Sequence, residues 1–193
     1  MNIAIIQGHP DPAGGHFGHA LADAYAEAAT AGGHTVRRIA VAQLEFPLLR
    51  TQQEWQDGAA PPSIREAQET LAWADHLLIV FPLWLGDMPA LVKAFFEQLM
   101  RPGFAIGKSS GPTLWKKLLK GKSARVVVTM GMPAFFYRVV YRAHSVKSLE
   151  RNILSFCGIA PVRTTLIGTV EAKRRGVRED WLARMRKFGK DAK

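Results

Sequence analysis

The chain of 193 residues carries a formal net charge of +10 and is 48% hydrophobic, which is typical of one soluble globular domain over residues 1–193. No apolar run approaches the roughly 20 residues of a membrane-spanning helix, and no signal peptide is expected. Cys157 is the only cysteine, which excludes an intramolecular disulfide and fits a reducing cytoplasm. The basic segments 116–125 and 173–193 carry no nucleic-acid-binding motif, so nucleic-acid binding is not expected.

The first part of the chain alternates short apolar runs with helical patterns. Residues 2–7 predict a first strand, and residues 34–41 predict a second one. Between them, a helix that stops at Gly32-Gly33 is predicted from the spacing of Phe17, Leu21, Ala24 and Ala28. Residues 42–62 contain three prolines and many polar side chains, so we expect a long surface loop there.

The middle of the chain continues this alternation. Ser63 and Glu66 have the spacing of a capping box, which predicts a helix that starts there. A third strand is predicted within residues 75–83, and Pro89 is suited to the first turn of the next helix. An irregular stretch rich in Gly, Ser and Lys is expected at residues 101–122.

The last part of the chain adds two strands and two helices. Residues 124–129 predict a fourth strand, followed by an aromatic loop over residues 131–142. Helical spacing is then seen at Val146, Leu149, Ile153 and Phe156. Residues 163–170 predict a fifth strand, and a final helix is marked by Val177, Trp181, Met185 and Phe188.

Strands that alternate with helices predict a parallel sheet covered by helices on both faces. Five such strands favour an α/β, flavodoxin-like doubly wound fold with the strand order 2-1-3-4-5. A Rossmann domain is the alternative, but its G-x-G-x-x-G turn is missing where the sequence reads Gly8-His9-Pro10-Asp11. Ligands of open α/β sheets bind outside the carboxyl ends of the strands, so these loops are expected to line one cleft.

The sequence contains no motif that indicates a metal site or a catalytic nucleophile. The histidines do not have zinc-binding spacing with an acidic partner, and no metal site is expected. The G-x-S-x-G nucleophile elbow is absent. Cys157 lies on an apolar helix face and is interpreted as a packed thiol rather than a nucleophile.

Several motifs together resemble the NAD(P)H:quinone oxidoreductase family of flavodoxin-like flavoproteins, the DT-diaphorase type. They are Gly8-His9-Pro10, Phe17, Phe81-Pro82-Leu83-Trp84, Met88-Pro89-Ala90-Leu91 with Lys93, Tyr137, and Phe156-Cys157-Gly158. The resemblance implies an enzyme that passes a hydride from NADPH or NADH through N5 of a flavin to a quinone or a similar small acceptor.

The resemblance also implies which residues hold the flavin. A phosphate or ribityl contact is implied for His9, His16, Phe17 and Gly18. The family commonly has Ser-Phe-Asn where this sequence has His16-Phe17-Gly18, so an imidazole or a backbone N–H must replace a hydroxyl contact. A place beside the isoalloxazine ring is implied for Pro82, Leu83, Trp84 and Leu85, and contact with its other edge for Met130 and Gly131.

Catalytic roles are implied for two further residues. Tyr137 and His144 are expected to lie over the nicotinamide or the quinone and to assist proton movement. FAD is the expected flavin, with FMN as the alternative, because the loop 42–62 is long enough to cover an adenine.

The resemblance further implies a homodimer with its site near the subunit interface. The aromatic segment 135–141 and the apolar region 91–96 are the candidate surfaces. Two other functions stay open. One is a flavin-binding ancillary subunit of a potassium-efflux system, which would have a membrane-protein partner. The other is a flavodoxin-like domain that has lost its flavin.

Overall fold

The protein is represented by a computed structural model that describes residues 1–107, 115–171 and 175–193. Its strands are β1 (Asn2–Gln7), β2 (Thr35–Ala40), β3 (His76–Pro82), β4 (Ile106–Gly107), β5 (Lys116–Lys117), β6 (Ser123–Thr129) and β7 (Val162–Ile167). Five of them form one parallel sheet in the order β2-β1-β3-β6-β7, and β4 pairs with β5 in a small antiparallel ladder. The predicted flavodoxin-like order is therefore confirmed, with β6 and β7 as its fourth and fifth strands.

Helices connect these strands and cover both faces of the sheet. They are α1 (Phe17–Ala31), α2 (Gln52–Asp57), α3 (Pro62–Trp73), α4 (Ala90–Leu99), α5 (Ala134–Val139), α6 (His144–Ser148), a π-helical segment (Leu149–Leu154), α7 (Ser155–Cys157) and α8 (Arg175–Lys190). A 3₁₀ turn, Val41–Gln43, follows β2. No helix in the described ranges combines the length and the apolar character that crossing a bilayer requires.

The central strand β3 shows how the two cores are divided. Leu77, Ile79 and Phe81 face one core, which α3, α4 and the helical residues 144–157 complete. Leu78 and Val80 face the other core, which is closed by α1 and α8. Because both faces are covered, the strand is apolar throughout rather than alternating. This arrangement leaves the carboxyl ends of the strands free to form a site.

Two predicted loops contain helices instead. Within the stretch 42–62, the short helix α2 begins after Thr51, whose hydroxyl accepts a hydrogen bond from the backbone N–H of Glu54. The expected loop 131–142 contains α5, which begins after Pro133. Prolines fix φ near its helical value, so each is compatible with a helix start as well as with a loop.

The capping box expected at Ser63 is wrong. Helix α3 begins at Pro62, one residue earlier, with Pro61 at the capping position. The hydroxyl of Ser63 instead donates a hydrogen bond to the backbone carbonyl of Glu45, 2.7 Å away. Part of the irregular stretch 101–122, residues 108–114, lies outside the described residues, and the remainder contains the β4–β5 ladder.

Candidate functional site

A cleft of about 660 Å³ lies at the carboxyl ends of the central strands. This volume is within the range of small-molecule and cofactor sites. Nine of the ten predicted cofactor-binding residues line it, and these are His9, His16, Phe17, Gly18, Pro82, Leu83, Trp84, Met130 and Gly131. Segments separated by more than a hundred residues in sequence therefore converge on one concave surface.

The first wall of the cleft is the loop between β1 and α1, and it starts at a close contact between strands. The backbone N–H of Gly8 donates to the carbonyl of Val80 at 2.7 Å. A Cβ at Gly8 would lie 3.0 Å from the side chain of Val92 and 3.1 Å from Cβ of Phe81. Glycine is required here because the end of β1 runs directly against β3 and α4.

Asp11 organises the rest of this loop. Its carboxylate accepts hydrogen bonds from the backbone N–H of Ala13, at 2.9 Å, and from His16 Nε2, at 2.7 Å. Its own backbone N–H donates to His9 Nδ1 at 3.2 Å. The imidazole rings of His9 and His16 stack with their centroids 3.7 Å apart. The loop thus presents two stacked imidazoles at the start of α1, where backbone N–H groups are free of helical partners.

The electrostatics of this loop follow from burial and from the closeness of its rings. Burial lowers the pKa of His9, and repulsion from His16 and His19 lowers it further. Burial lowers the pKa of His19 in the same way. The hydrogen bond from His16 lowers the pKa of Asp11, which therefore stays a carboxylate. His9 and His19 favour their neutral forms near neutral pH.

The second wall is the loop after β3, which carries Trp84. The backbone N–H of Leu83 extends the sheet by donating to Thr129 at 2.7 Å. Trp84 and Asp87 then exchange backbone hydrogen bonds of 2.8 and 3.0 Å across a two-residue turn. Half of the Trp84 surface is exposed at the cleft, and its ring meets His9 edge-on at 6.2 Å.

The turn beyond Trp84 is anchored from behind. The carboxylate of Asp87 accepts a hydrogen bond from the backbone N–H of Met88 at 2.6 Å and another from the hydroxyl of Ser145 in α6. The Trp84 loop is therefore tied both to the start of α4 and to α6. This double attachment fixes the wall that would flank a planar ring.

The remaining walls come from β6 and from the segment after β7. The backbone N–H of Met130 donates to the carbonyl oxygen of Ile167 at 2.9 Å, and the backbone N–H of Val170 donates to the carbonyl oxygen of Met130 at 3.2 Å. Arg178 of α8 closes the far side, where its guanidinium donates to the carbonyl of Val170 at 2.9 Å. The guanidinium also lies 5.7 Å from the ring of Phe17. A cation therefore borders the cleft opposite the imidazoles.

Comparison with known proteins fits this geometry. The family model described as the flavodoxin-like fold, Flavodoxin_2, matches residues 1–188. The chain belongs to this flavodoxin-like family. An uncharacterised NAD(P)H oxidoreductase of Haemophilus influenzae is 26% identical over 174 residues, which are 88% of this chain and 85% of that protein. The resemblance to NAD(P)H:quinone oxidoreductases predicted from the motifs is confirmed.

Further relatives of this family member cover less of its sequence. An FMN-dependent NADH:quinone oxidoreductase of Beijerinckia indica is 31% identical over 100 residues, which are 51% of this chain and 48% of that protein. A potassium-efflux ancillary protein of Cronobacter sakazakii is 39% identical over 66 residues, a third of each chain. Among solved structures, an NAD(P)H:quinone oxidoreductase from Methanothermobacter marburgensis superposes with a TM-score of 0.85 at 23% identity, covering 100% of this chain and 99% of the other.

Three predicted site residues of this flavodoxin-like protein lie away from the cleft. Leu85 is fully exposed, because it and Gly86 have positive φ angles of 49° and 81°, and this turn directs the Leu85 side chain into solvent. Tyr137 lies within α5 and is completely buried, and burial raises its pKa. His144 is exposed at the first residue of α6 and is not part of the cleft wall.

Other residues line the cleft without having been predicted. They are Gly15, Ala20, Thr129, Val170, Glu171, Arg178 and Leu182. Thr129 ends β6 and Val170 follows β7, so their places at the carboxyl edge of the sheet were a usable signal. Arg178 and Leu182 lie within α8, and no local motif distinguishes them from the many other residues of a basic helix.

Proposed function

We propose that this chain is a flavin-dependent NAD(P)H:quinone oxidoreductase. The observation that carries the proposal is the convergence of nine predicted flavin-binding residues on one cleft of about 660 Å³. The relatives that are named NAD(P)H oxidoreductase and FMN-dependent NADH:quinone oxidoreductase support the same activity. A hydride donor and a small acceptor such as a quinone would use the cleft in turn.

The residues present fit a flavin that enters with its phosphate at the β1 loop. His9, His16 and the first turn of α1 supply donors of the kind that bind phosphate esters. Trp84 offers a half-exposed aromatic face to a planar ring. When bound, the flavin would accept a hydride from the nicotinamide and pass it to the acceptor. The FMN-dependent relative from Beijerinckia indica supports FMN as the flavin, and FAD remains the alternative expected from the loop 42–62.

The protein's own contribution is binding and electrostatics. The Trp84 loop, held by Asp87, would fix the plane of the ring, and Arg178 would place a positive charge at the cleft edge. Tyr137 and His144 are not among the described residues of the cleft wall, so a role for either side chain in proton exchange with the acceptor stays a prediction.

The proposal is tested by titrating the apoprotein with FMN and following the quenching of flavin fluorescence. We expect Trp84→Ala to weaken FMN binding about tenfold, since an aromatic stacking partner contributes roughly 1 kcal/mol. Trp115→Ala is the matched control, because Trp115 is similarly exposed, at 43% against 50%, and lies outside the cleft. Steady-state assays with NADPH, NADH and a soluble quinone then measure turnover. Failure of the wild type to bind any flavin would refute the proposal.

We also propose that a second copy of the chain covers the aromatic surface beside the cleft. Phe135 is 77% exposed, and its neighbours on this surface are Phe136, Val139, Val140 and Tyr141. Exposed apolar side chains that lie together mark candidate interaction surfaces. Sedimentation analysis is expected to show a dimer that Phe135→Asp weakens. A monomeric wild type would refute the dimer without affecting flavin binding.

An ancillary role in potassium efflux is the second candidate function, and the local similarity to the Cronobacter protein favours it. That similarity covers only 33% of this chain, so it is weaker support than the family match over residues 1–188. Salt-sensitive co-sedimentation with membranes that contain the efflux transporter would support this role. Rapid quinone turnover by the isolated protein would favour the enzyme.

A further inference from the structure

The stacked imidazoles of His9 and His16 are held in defined tautomers by a single residue. His9 Nδ1 accepts the backbone N–H of Asp11, so a neutral His9 carries its proton on Nε2. His16 Nε2 lies 2.7 Å from the Asp11 carboxylate, so a neutral His16 carries its proton on Nε2 and has a lone pair on Nδ1. An incoming anion would therefore meet an N–H donor on neutral His9 and a lone pair on neutral His16.

The difference has a chemical consequence for a phosphate ester. Neutral His9 can donate from Nε2 without any change of protonation. His16 has only a lone pair to offer from Nδ1, and it must gain a proton there before it can donate. Its partner Asp11 would then balance the imidazolium charge, as carboxylates do for histidines that become protonated.

Both rings cannot readily be charged at once. Their centroids are 3.7 Å apart and nearly parallel, at 13°, so two imidazolium ions would repel strongly. A third imidazole, that of His19, lies 5.4 Å from His9 and 5.8 Å from His16 and adds to this repulsion. The arrangement therefore accommodates one added proton together with one anion.

We infer that His9, His16 and Asp11 form a phosphate subsite that takes up one proton as it binds the phosphate ester of the flavin. This inference rests on the proposed function, and it adds to the phosphate site a proton that is taken up on binding. The affinity for a phosphorylated flavin should then fall as the pH rises. The affinity for riboflavin, which lacks the phosphate, should not change in this way.

The surroundings of the pair are compatible with uptake at His16. The other titratable or charged groups that border this region are His19, Asp23, Arg38, Glu171 and Arg178. Asp23 is paired with Arg38, and the guanidinium of Arg178 donates to the backbone carbonyl of Val170. Burial lowers the pKa of the remaining imidazole, His19, so His19 itself favours its neutral form.

The test is calorimetric titration of the apoprotein with FMN and with riboflavin at pH 7.5, in phosphate-free buffers of different ionisation enthalpy. At this pH the flavin phosphate is already mostly dianionic, because the second pKa of a phosphate monoester is about 6. We expect about one proton to be taken up per FMN and none per riboflavin. Between pH 7 and 8.5, the Kd for FMN should rise toward tenfold per pH unit.

Two variants separate this subsite from a general effect of histidines. His16→Ser introduces the hydroxyl that the resembling family commonly carries, and it should bind FMN without proton uptake. His34→Ser is the matched control, since His34 precedes β2 at the opposite edge of the sheet, and it should retain uptake. Binding of both flavins without proton uptake, or equal uptake with riboflavin, would overturn the subsite alone. Failure to bind either flavin would overturn the proposed function with it.

Discussion

Gly168, directly after β7, should not tolerate even a methyl group. A Cβ at this position would lie 2.3 Å from the backbone nitrogen of Ala134 and 2.6 Å from the carbonyl oxygen of Met132. Ordinary contacts begin near 3.4 Å, so the start of α5 would have to retreat by about 1 Å. Both neighbours are backbone atoms, and no side-chain rotation can relieve the clash.

Overpacking of this kind typically lowers the free energy of unfolding by about 1–3 kcal/mol. Because the surroundings are rigid, we expect Gly168→Ala to lower it by about 3 kcal/mol. For a chain of this size, that corresponds to a fall in Tm of about 6–12 °C. Thermal and urea denaturation of the apoprotein measure both quantities. Gly131→Ala is the control, since its Cβ would meet only ordinary contact at 3.7 Å, and it should stay within about 0.5 kcal/mol of the wild type. Equal stability of the two variants would refute the reasoning.

Three further predictions concern buried polar groups. Burial lowers the pKa of His76 to about 4, so between about pH 6.5 and pH 4 the unfolded chain takes up a proton at His76 and the folded chain does not. Urea unfolding should therefore show a loss of stability of up to about 3 kcal/mol over this range, and His76→Leu should reduce that loss. Arg101→Met should lower the free energy of unfolding in urea by about 3 kcal/mol, because the guanidinium donates to the backbone carbonyls of Glu54 and Gly58 at 2.8 and 2.6 Å. A loss below about 0.5 kcal/mol would contradict this. Burial raises the pKa of the Cys157 thiol to about 11, so a thiol reagent at pH 8 should label it only after unfolding.

The sheet was predictable because its strands are encoded locally. The three central strands, β1, β3 and β6, are mostly apolar runs, and the alternation of all five strands with helices leaves few topologies open. The cleft followed from the same logic, since the carboxyl ends of β1, β3 and β6 must meet at one edge. His9, Trp84 and Gly131 line the cleft at that edge for this reason.

The places of three other residues depend on tertiary contacts that sequence spacing does not encode. Leu85 was expected beside the ring, but a turn with two positive φ angles sends its side chain to solvent. Tyr137 was expected over the ring, but α5 turns it into the core formed with α6. Arg178 was missed because only the packing of α8 against α1 brings it to the cleft. Such positions depend on neighbours that are distant in the chain.

The central claim is most directly tested by the visible absorption spectrum of the protein reconstituted with FMN or FAD, recorded anaerobically before and after adding NADPH or NADH. We expect a bound flavin whose absorption band bleaches on addition of the nicotinamide and returns when a quinone is added. Chromatography of the released cofactor then distinguishes FMN from FAD. A flavin that binds but is not reduced by either nicotinamide, or a protein that takes up no flavin, would contradict the account.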